Sequence, residues 1–388
     1  MAKEKPIEKT ISWKYALSEI LLGQEEENAV LEVIRSKWLS MGPKTESLEA
    51  EFKKASGTSY ALATSNCTTA LHLAVSSLEL QAGDEVIVPA LSFVATANVV
   101  VCAGARPVFA DIESLSRPLL DPQDVERKIS PRTRAMIVMH YAGYPCRMTE
   151  LKQIAMKHRL AIIEDAAHAV GSRFENQPCG ALGDIGCFSF FGNKNLPAGE
   201  GGMIVTRDER RYLKMKSQRS HGMTSLSWDR FKGHSSGYDV TDIGYNYRMP
   251  ELTAAVALCQ LHKLPVHNQA RDFVFDSYVE NLRSEKRLLI PFSSAQAPGG
   301  RHLMPVLLDE KTSRTEFMKR LASRGIQSSI HYPPIYSFSF YRNSPSLSQS
   351  ALPVTEEFSN RVVTLPFHPG LDRRAVDEIS EVVLESLK

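Results

Sequence analysis

The chain lacks most of the features that would commit it to a simple role. Its six cysteines, at 67, 102, 146, 179, 187 and 259, are scattered, and none belongs to a C-x-x-C pair. That argues against a disulfide framework and a zinc site; several lie in apolar runs and read as reduced core thiols of a cytosolic, hence cytoplasmic, protein. An excess of one charge is missing too: the net charge is +2, so there is no electrostatic case for nucleic acid or a membrane surface. No apolar run approaches the roughly 18 residues of a membrane span. The opening M-A-K-E-K-P-I-E-K-T has no apolar stretch, so no signal peptide is expected. G-E-G-G at 199–202 is followed by no Gly-Lys-Ser/Thr and lacks G-x-G-x-x-G spacing, which removes a P-loop and a dinucleotide fingerprint. No H-E-x-x-H occurs, and His140, His221 and His234 are too far apart in sequence to argue for a metal. There is no internal repeat and no helix-turn-helix.

What is present is enough apolar residue, 43% of 388, for a large core in two or three domains. Gln24–Trp38 and Thr45–Lys54 have helical apolar spacing. From residue 60 to 165 short apolar strands alternate with helices. The strands are Tyr60–Thr64, E-V-I-V-P, Arg106–Asp111, Ala135–Met139 and Leu160–Glu164; the helices include Ala70–Leu78, one opening near Ser92, Asp121–Lys128 and Met148–His158. Near-continuous apolar strands alternating with helices predict an α/β fold with a mainly parallel sheet covered on both faces. Sites in such sheets gather at the C-terminal ends of the strands. Helices are expected at Pro250–Leu264 and, after a break at Pro265, at Ala270–Arg283. Beyond about residue 266 the texture changes to that of a smaller α+β domain, with the N-terminal arm packing on it.

Four features fall where a site is expected. Lys194 follows an apolar strand, with Ser189 five residues before it. Taken alone it is a surface lysine in a turn, since burying an ammonium is costly; if buried, its lowered pKa would suit it to condense with an aldehyde. Asp165 ends a strand, where it either caps a helix or serves a site. S-N-C-T-T at 65–69 joins a strand to a helix N-terminus, giving an ordinary cap or an anion cup. Phe93 is expected in the first turn of its helix, at the same edge. Together they meet the needs of pyridoxal 5′-phosphate (PLP). A lysine meets the aldehyde, an aspartate keeps the ring nitrogen protonated, a helix start holds the phosphate and an aromatic covers the ring.

The chain also resembles the DegT/StrS-type sugar aminotransferases, which are fold-type I PLP enzymes. The resemblance is carried, in order, by W-L-S-M-G-P (38–43), S-N-C-T-T-A-L-H-L-A (65–74), V-P-A-L-S-F-V-A-T-A-N (88–98), E-D-A-A-H-A-V-G (164–171), the run from Phe188 to Thr206, G-Y-N-Y-R (244–248), H-Y-P-P (331–334) and L-P-F-H-P (365–369). It implies a large domain, 1–265, with a mainly parallel seven-stranded-type sheet and an N-terminal arm, 1–23, and a small domain, 266–388. It implies that Lys194 bonds the cofactor and shuttles a proton, that Asp165 partners the pyridine nitrogen, and that His168 touches the ring's 3′-oxygen. Cys67, Thr68, Thr69 and Ser189 would hold the phosphate and Phe93 would stack on the ring. Asn246 would reach the cofactor of a neighbouring subunit, implying a homodimer with shared sites. Trp38, Met41, Arg248, His331 and Tyr332 would meet the substrate. The donor would be glutamate or glutamine, and the acceptor a keto sugar, most often nucleotide-linked. A keto cyclitol acceptor and a non-catalytic regulator on the same fold are the alternatives. Where the family has H-Y-x-P-x-H, Tyr336 stands at the second histidine position. The segment 221–234, rich in His, Trp and Arg, is either an active-site loop that meets the substrate or a solvated loop at the dimer surface.

Overall fold

The computed structural model describes residues 13–225, 231, 233, 237–344, 346, 347 and 352–387. Much of the 221–234 segment, and residues 1–12 of the N-terminal arm, lie outside these. The large sheet has seven strands: β1 (Tyr60–Thr64), β2 (Glu85–Pro89), β3 (Arg106–Ala110), β4 (Thr133–Met139), β5 (Ala161–Asp165), β8 (Ile185–Ser189) and β9 (Gly202–Thr206). Between β5 and β8 lies a short hairpin of β6 (Arg173–Phe174) and β7 (Gln177–Pro178). The spatial order is β1-β9-β8-β5-β4-β2-β3. Only β9 runs against the rest. Strands such as E-V-I-V-P and I-G-C-F-S are buried at every position, because helices cover both faces. The sheet is the one expected from the alternation: an α/β arrangement with a mainly parallel sheet.

The covering helices are α1 (Gln24–Ser36), α2 (Pro43–Ser56), α3 (Cys67–Ser76), α4 (Ala95–Cys102), α5 (Pro122–Lys128), α6 (Met148–His158) and α7 (Glu209–Gln218). Two boundaries differ from the expected ones in ways that matter. Helix α3 starts three residues early, directly at Cys67, because Asn66 and Thr69 cap it reciprocally. Helix α4 starts late, at Ala95, so Phe93 precedes the helix instead of sitting in its first turn.

The expected break at Pro265 is absent. One helix, α8 (Glu251–Leu282), runs for 32 residues straight through the proline. Pro265 lies on the exposed side, while Leu264 and Asn268 are buried on the other side. Beyond α8, β10 (Leu288–Leu289), β11 (Met304–Leu308) and β12 (Val362–Leu365) form an antiparallel sheet. Helices Arg314–Ser323 and Arg373–Ser386 share its apolar core. The N-terminal residues bond to this part: Tyr15 bridges Ile326, and the Phe367 N–H donates to the Leu17 carbonyl at 3.0 Å. A division at residue 265 would cut α8 in half. We propose that the two sheets mark two domains and that α8 belongs to both. Among the described residues no helix is long and apolar enough to cross a membrane.

Candidate active site

The register of the sheet brings the sequence candidates to one edge. Gly202, the first residue of β9, lies opposite both Thr64 and Ser189, so one rung joins the ends of β1, β8 and β9. A Cβ at Gly202 would lie 2.5 Å from the Asn66 carbonyl and 2.8 Å from the Cys67 nitrogen. Only glycine lets β9 approach the 65–69 loop this closely. At this loop the Thr69 N–H donates to Asn66 Oδ1 at 2.9 Å, and the Thr69 hydroxyl donates to the Asn66 carbonyl at 2.8 Å. Thr69 is therefore spent on the cap. The N–H groups of Cys67 and Thr68 are the donors that the first turn leaves open. Ser189 is buried, and its hydroxyl accepts the Phe191 N–H at 3.3 Å, so its own hydrogen is free to donate outward.

Asp165 ends β5 and caps no helix, since none follows it. Its carboxylate is 4% exposed and accepts from the Thr96 hydroxyl at 2.7 Å and the Ala167 N–H at 3.2 Å. Burial pushes this carboxyl up, against the pull of Thr96, Ala167 and Lys194. The preceding Glu164 faces the opposite side of the strand, as its period of two requires. There it takes the N–H groups of Gly180, Leu182 and Gly183 and pairs with His140 at 2.8 Å. The Cys146 N–H donates to His140 Nδ1 at 3.2 Å, so the imidazole carries its proton on Nε2, toward Glu164. That network anchors the end of β5.

Lys194 is half-buried in the loop after β8, not on the open surface that a lone lysine would be expected to occupy. Burial brings its ammonium down to about 8, although Asp165 and Cys67 pull the other way. Its Nζ lies 3.4 Å from Nε2 of His302, a residue that the sequence reading missed. The His302 ring lies 4.3 Å from that of His168, and His168 Nε2 shares a hydrogen bond of 3.0 Å with the Tyr332 hydroxyl. Nδ1 of His168, in a side chain only 2% exposed, has no partner. Phe93 is 56% exposed and faces Tyr332 at 6.3 Å between ring centres, so it is no core aromatic. His331 turns its Nδ1 to the Thr364 hydroxyl at 2.9 Å, and burial and Lys194 together push its imidazole down to about 4.

The remaining candidates lie farther out. The Tyr247 carbonyl accepts the Ser65 N–H at 2.9 Å, which lays the 244–248 strip on the 65–69 loop. Tyr245 and Tyr247 stack at 4.8 Å on one side of that strip, and the exposed Asn246 lies between them in sequence. Arg248 is half-buried; burial and Arg219 push its guanidinium down. Trp38 donates its indole N–H to the Met41 carbonyl at 3.3 Å and its ring meets Phe231 at 4.8 Å. These contacts tie Trp38 and Met41 to the 221–234 segment. Tyr336, at the second histidine position of the motif, is a core residue: its hydroxyl donates to Glu356 at 3.1 Å and accepts the Leu352 N–H.

The edge thus combines a carboxylate, an amine with lowered pKa, open N–H donors and stacked rings. Comparisons with known proteins agree. The family model of the DegT/DnrJ/EryC1/StrS aminotransferases matches residues 21–384. The spore coat polysaccharide biosynthesis protein SpsC of Bacillus subtilis is 34% identical over 373 residues, 95% of this chain and 96% of SpsC. Among solved structures, Helicobacter pylori PseC, an aminotransferase involved in the biosynthesis of pseudoaminic acid, superposes with a TM-score of 0.91 at 31% identity, over 96% of this chain and 99% of its own. The PLP form of Spr1654, a sugar aminotransferase of Streptococcus pneumoniae by its description, gives 0.88 at 29% identity, over 96% and 99%. With the family model spanning almost its whole length, the chain belongs to the DegT/DnrJ/EryC1/StrS aminotransferase family and is a PLP-dependent aminotransferase.

Proposed function

We propose that this enzyme moves an amino group from glutamate or glutamine to a keto sugar carried on a nucleotide, in two half-reactions at the Lys194 edge. The observation that carries the reading is the convergence of Lys194, with its amine near 8, and Asp165 beside an open helix N-terminus. The donors present fit PLP: His168 Nδ1 is buried without a partner, and the Cys67 and Thr68 N–H groups are open. When bound, PLP supplies an aldehyde that takes up the donor's amine and a ring that accepts electrons from the substrate carbon.

Lys194, as a free amine, would be the group that takes up and returns the proton moved in each half-reaction. Asp165 would hold the proton on the ring nitrogen; a cationic N–H there would add a charged partner to the Thr96 and Ala167 hydrogen bonds of the buried carboxylate. His168 donates to the 3′-oxygen through Nδ1. The Ser189 hydroxyl and the Cys67 and Thr68 N–H groups hold the phosphate, Thr69 fixes the turn, and Phe93 covers one face of the ring. Asn246 and Arg248 reach the site of a second copy, which makes the enzyme a homodimer with shared sites. Trp38, Met41, His331 and Tyr332 meet the sugar.

The test is borohydride reduction of the yellow protein followed by peptide mass spectrometry, with the cofactor expected on Lys194. Label on another lysine, or protein that binds no PLP, overturns the reading. A panel of nucleotide-linked keto sugars, free keto sugars and keto cyclitols then identifies the acceptor. Amination of cyclitols alone would refute the sugar assignment.

A further inference from the structure

We propose that His302 is a positioning residue for Lys194: its unprotonated Nε2 accepts a hydrogen from the lysine amine and holds that amine in place between proton transfers. The inference rests on the reading of Lys194 as the group that moves the proton.

The tautomer of His302 follows from a chain of hydrogen bonds. Asn268 Nδ2 donates to the carbonyls of Gly299, at 2.8 Å, and Val170, at 3.2 Å, so its Oδ1 is an acceptor. Asn195 Nδ2 donates to that Oδ1 at 3.0 Å and to the Arg301 carbonyl at 3.0 Å, which uses both of its hydrogens. Asn195 Oδ1 is then an acceptor as well, and the only group it can receive from at His302 Nδ1, 3.0 Å away, is an N–H. The ring proton sits on Nδ1, and the lone pair on Nε2 faces Lys194 Nζ at 3.4 Å.

The surroundings keep this ring neutral. His302 is 4% exposed; burial, Lys194, Arg271 and His331 all oppose a second proton, and the His168 ring lies tilted against it at 4.3 Å. Lys194 itself faces Asp165 and Cys67, which pull toward the ammonium. A lysine amine on four rotatable carbons is poorly placed for proton transfer once it is released, and one fixed acceptor removes most of that freedom. Asn195, next to Lys194 in the chain, and Asn268, on α8, fix the acceptor in turn.

His302→Asn keeps an amide N–H for Asn195 and leaves nothing at the Nε2 position, whereas His302→Gln restores an acceptor there. In the holoenzyme, His302→Asn should lower kcat about 10- to 100-fold with little change in KM, and His302→Gln should recover most of the loss. A second readout uses the cofactor-free protein: carbamylation of Lys194 by cyanate against pH, followed by peptide mass spectrometry. Loss of an acceptor destabilises the ammonium, so the midpoint should move below that of the wild type in His302→Asn and return in His302→Gln. An unshifted midpoint and kcat in His302→Asn, or His302→Gln as impaired as His302→Asn, overturns the proposal. Turnover by Lys194→Ala would instead overturn the role of Lys194, a separate outcome.

Discussion

Gly202→Ala is the sharpest probe of how the cofactor edge is built. The added methyl would lie 2.5 Å from the carbonyl carbon and oxygen of Asn66 and 2.8 Å from the Cys67 nitrogen. All three are backbone atoms of the turn that opens α3, so no side chain can swing away. Either β9 or the turn must shift, at about 1–3 kcal/mol for such overpacking. If the shift moves the Cys67 and Thr68 N–H groups, PLP affinity falls by about 5- to 150-fold. If β9 moves instead, the same energy appears as a lower melting temperature of the cofactor-free protein. Gly201→Ala is the control, because the three atoms nearest its methyl are side-chain atoms of Met249 and Phe190, the closest at 3.2 Å. Absorbance titration with PLP and thermal melts of the two variants decide the matter. If Gly202→Ala matches wild type in both, or Gly201→Ala is as damaging, the close-approach argument fails.

Lys194→Ala should lower turnover by about 10²- to 10⁴-fold or more while the far-ultraviolet spectrum stays that of wild type; near-normal transamination would remove it from the mechanism. Asp165→Asn should impair kcat strongly with the cofactor still bound, and a variant with wild-type kcat would show that the ring nitrogen has another partner. The pH dependence follows from Lys194, which burial holds near 8. Only the neutral amine condenses with an aldehyde, and its share grows from about a tenth to about nine tenths between one pH unit below that value and one above. Cofactor uptake by the apoprotein should therefore rise about tenfold over that window; a midpoint near 10 would mean an ordinary lysine. Glu251 accepts the N–H groups of Gly42, Lys44 and Thr45 and the Thr45 hydroxyl, at 2.7–2.9 Å. Glu251→Gln should cost about 2–3 kcal/mol in urea unfolding, and a loss under about 0.5 kcal/mol would show that this carboxylate does not pin the start of α2 to α8.

Much of the site could be read because its parts obey local rules. Asp165 and Ser189 are strand ends, Cys67 and Thr68 open a helix, and Lys194 follows a strand; each leaves a mark in its own neighbourhood. The parts that were missed arise from contacts across the chain. Thr96 reaches Asp165 over 69 residues and His302 reaches Lys194 over 108, and no periodicity encodes such meetings. The pattern puts Phe93 inside the helix because V-A-T-A-N continues the apolar run without a capping side chain, whereas the helix starts at Ala95. Pro265 carries the strongest local signal for a break, yet burial of Leu264 and Asn268 on one side of it outweighs that signal.

The unbroken α8 also bears on how the enzyme could be re-engineered. At about 1.5 Å per residue it is a strut of about 48 Å, with Glu251 gripping Gly42 and the first turn of α2 near one end and Asn268 bracing Asn195 in the middle. A chimera that grafts another relative's C-terminal half at residue 265 would splice two half-struts from different lineages. The mismatch would surface at Asn195, one residue from Lys194. Exchange of acceptor preference is better sought by transplanting loops such as 38–43 or 331–342, with the strut inherited whole from one parent.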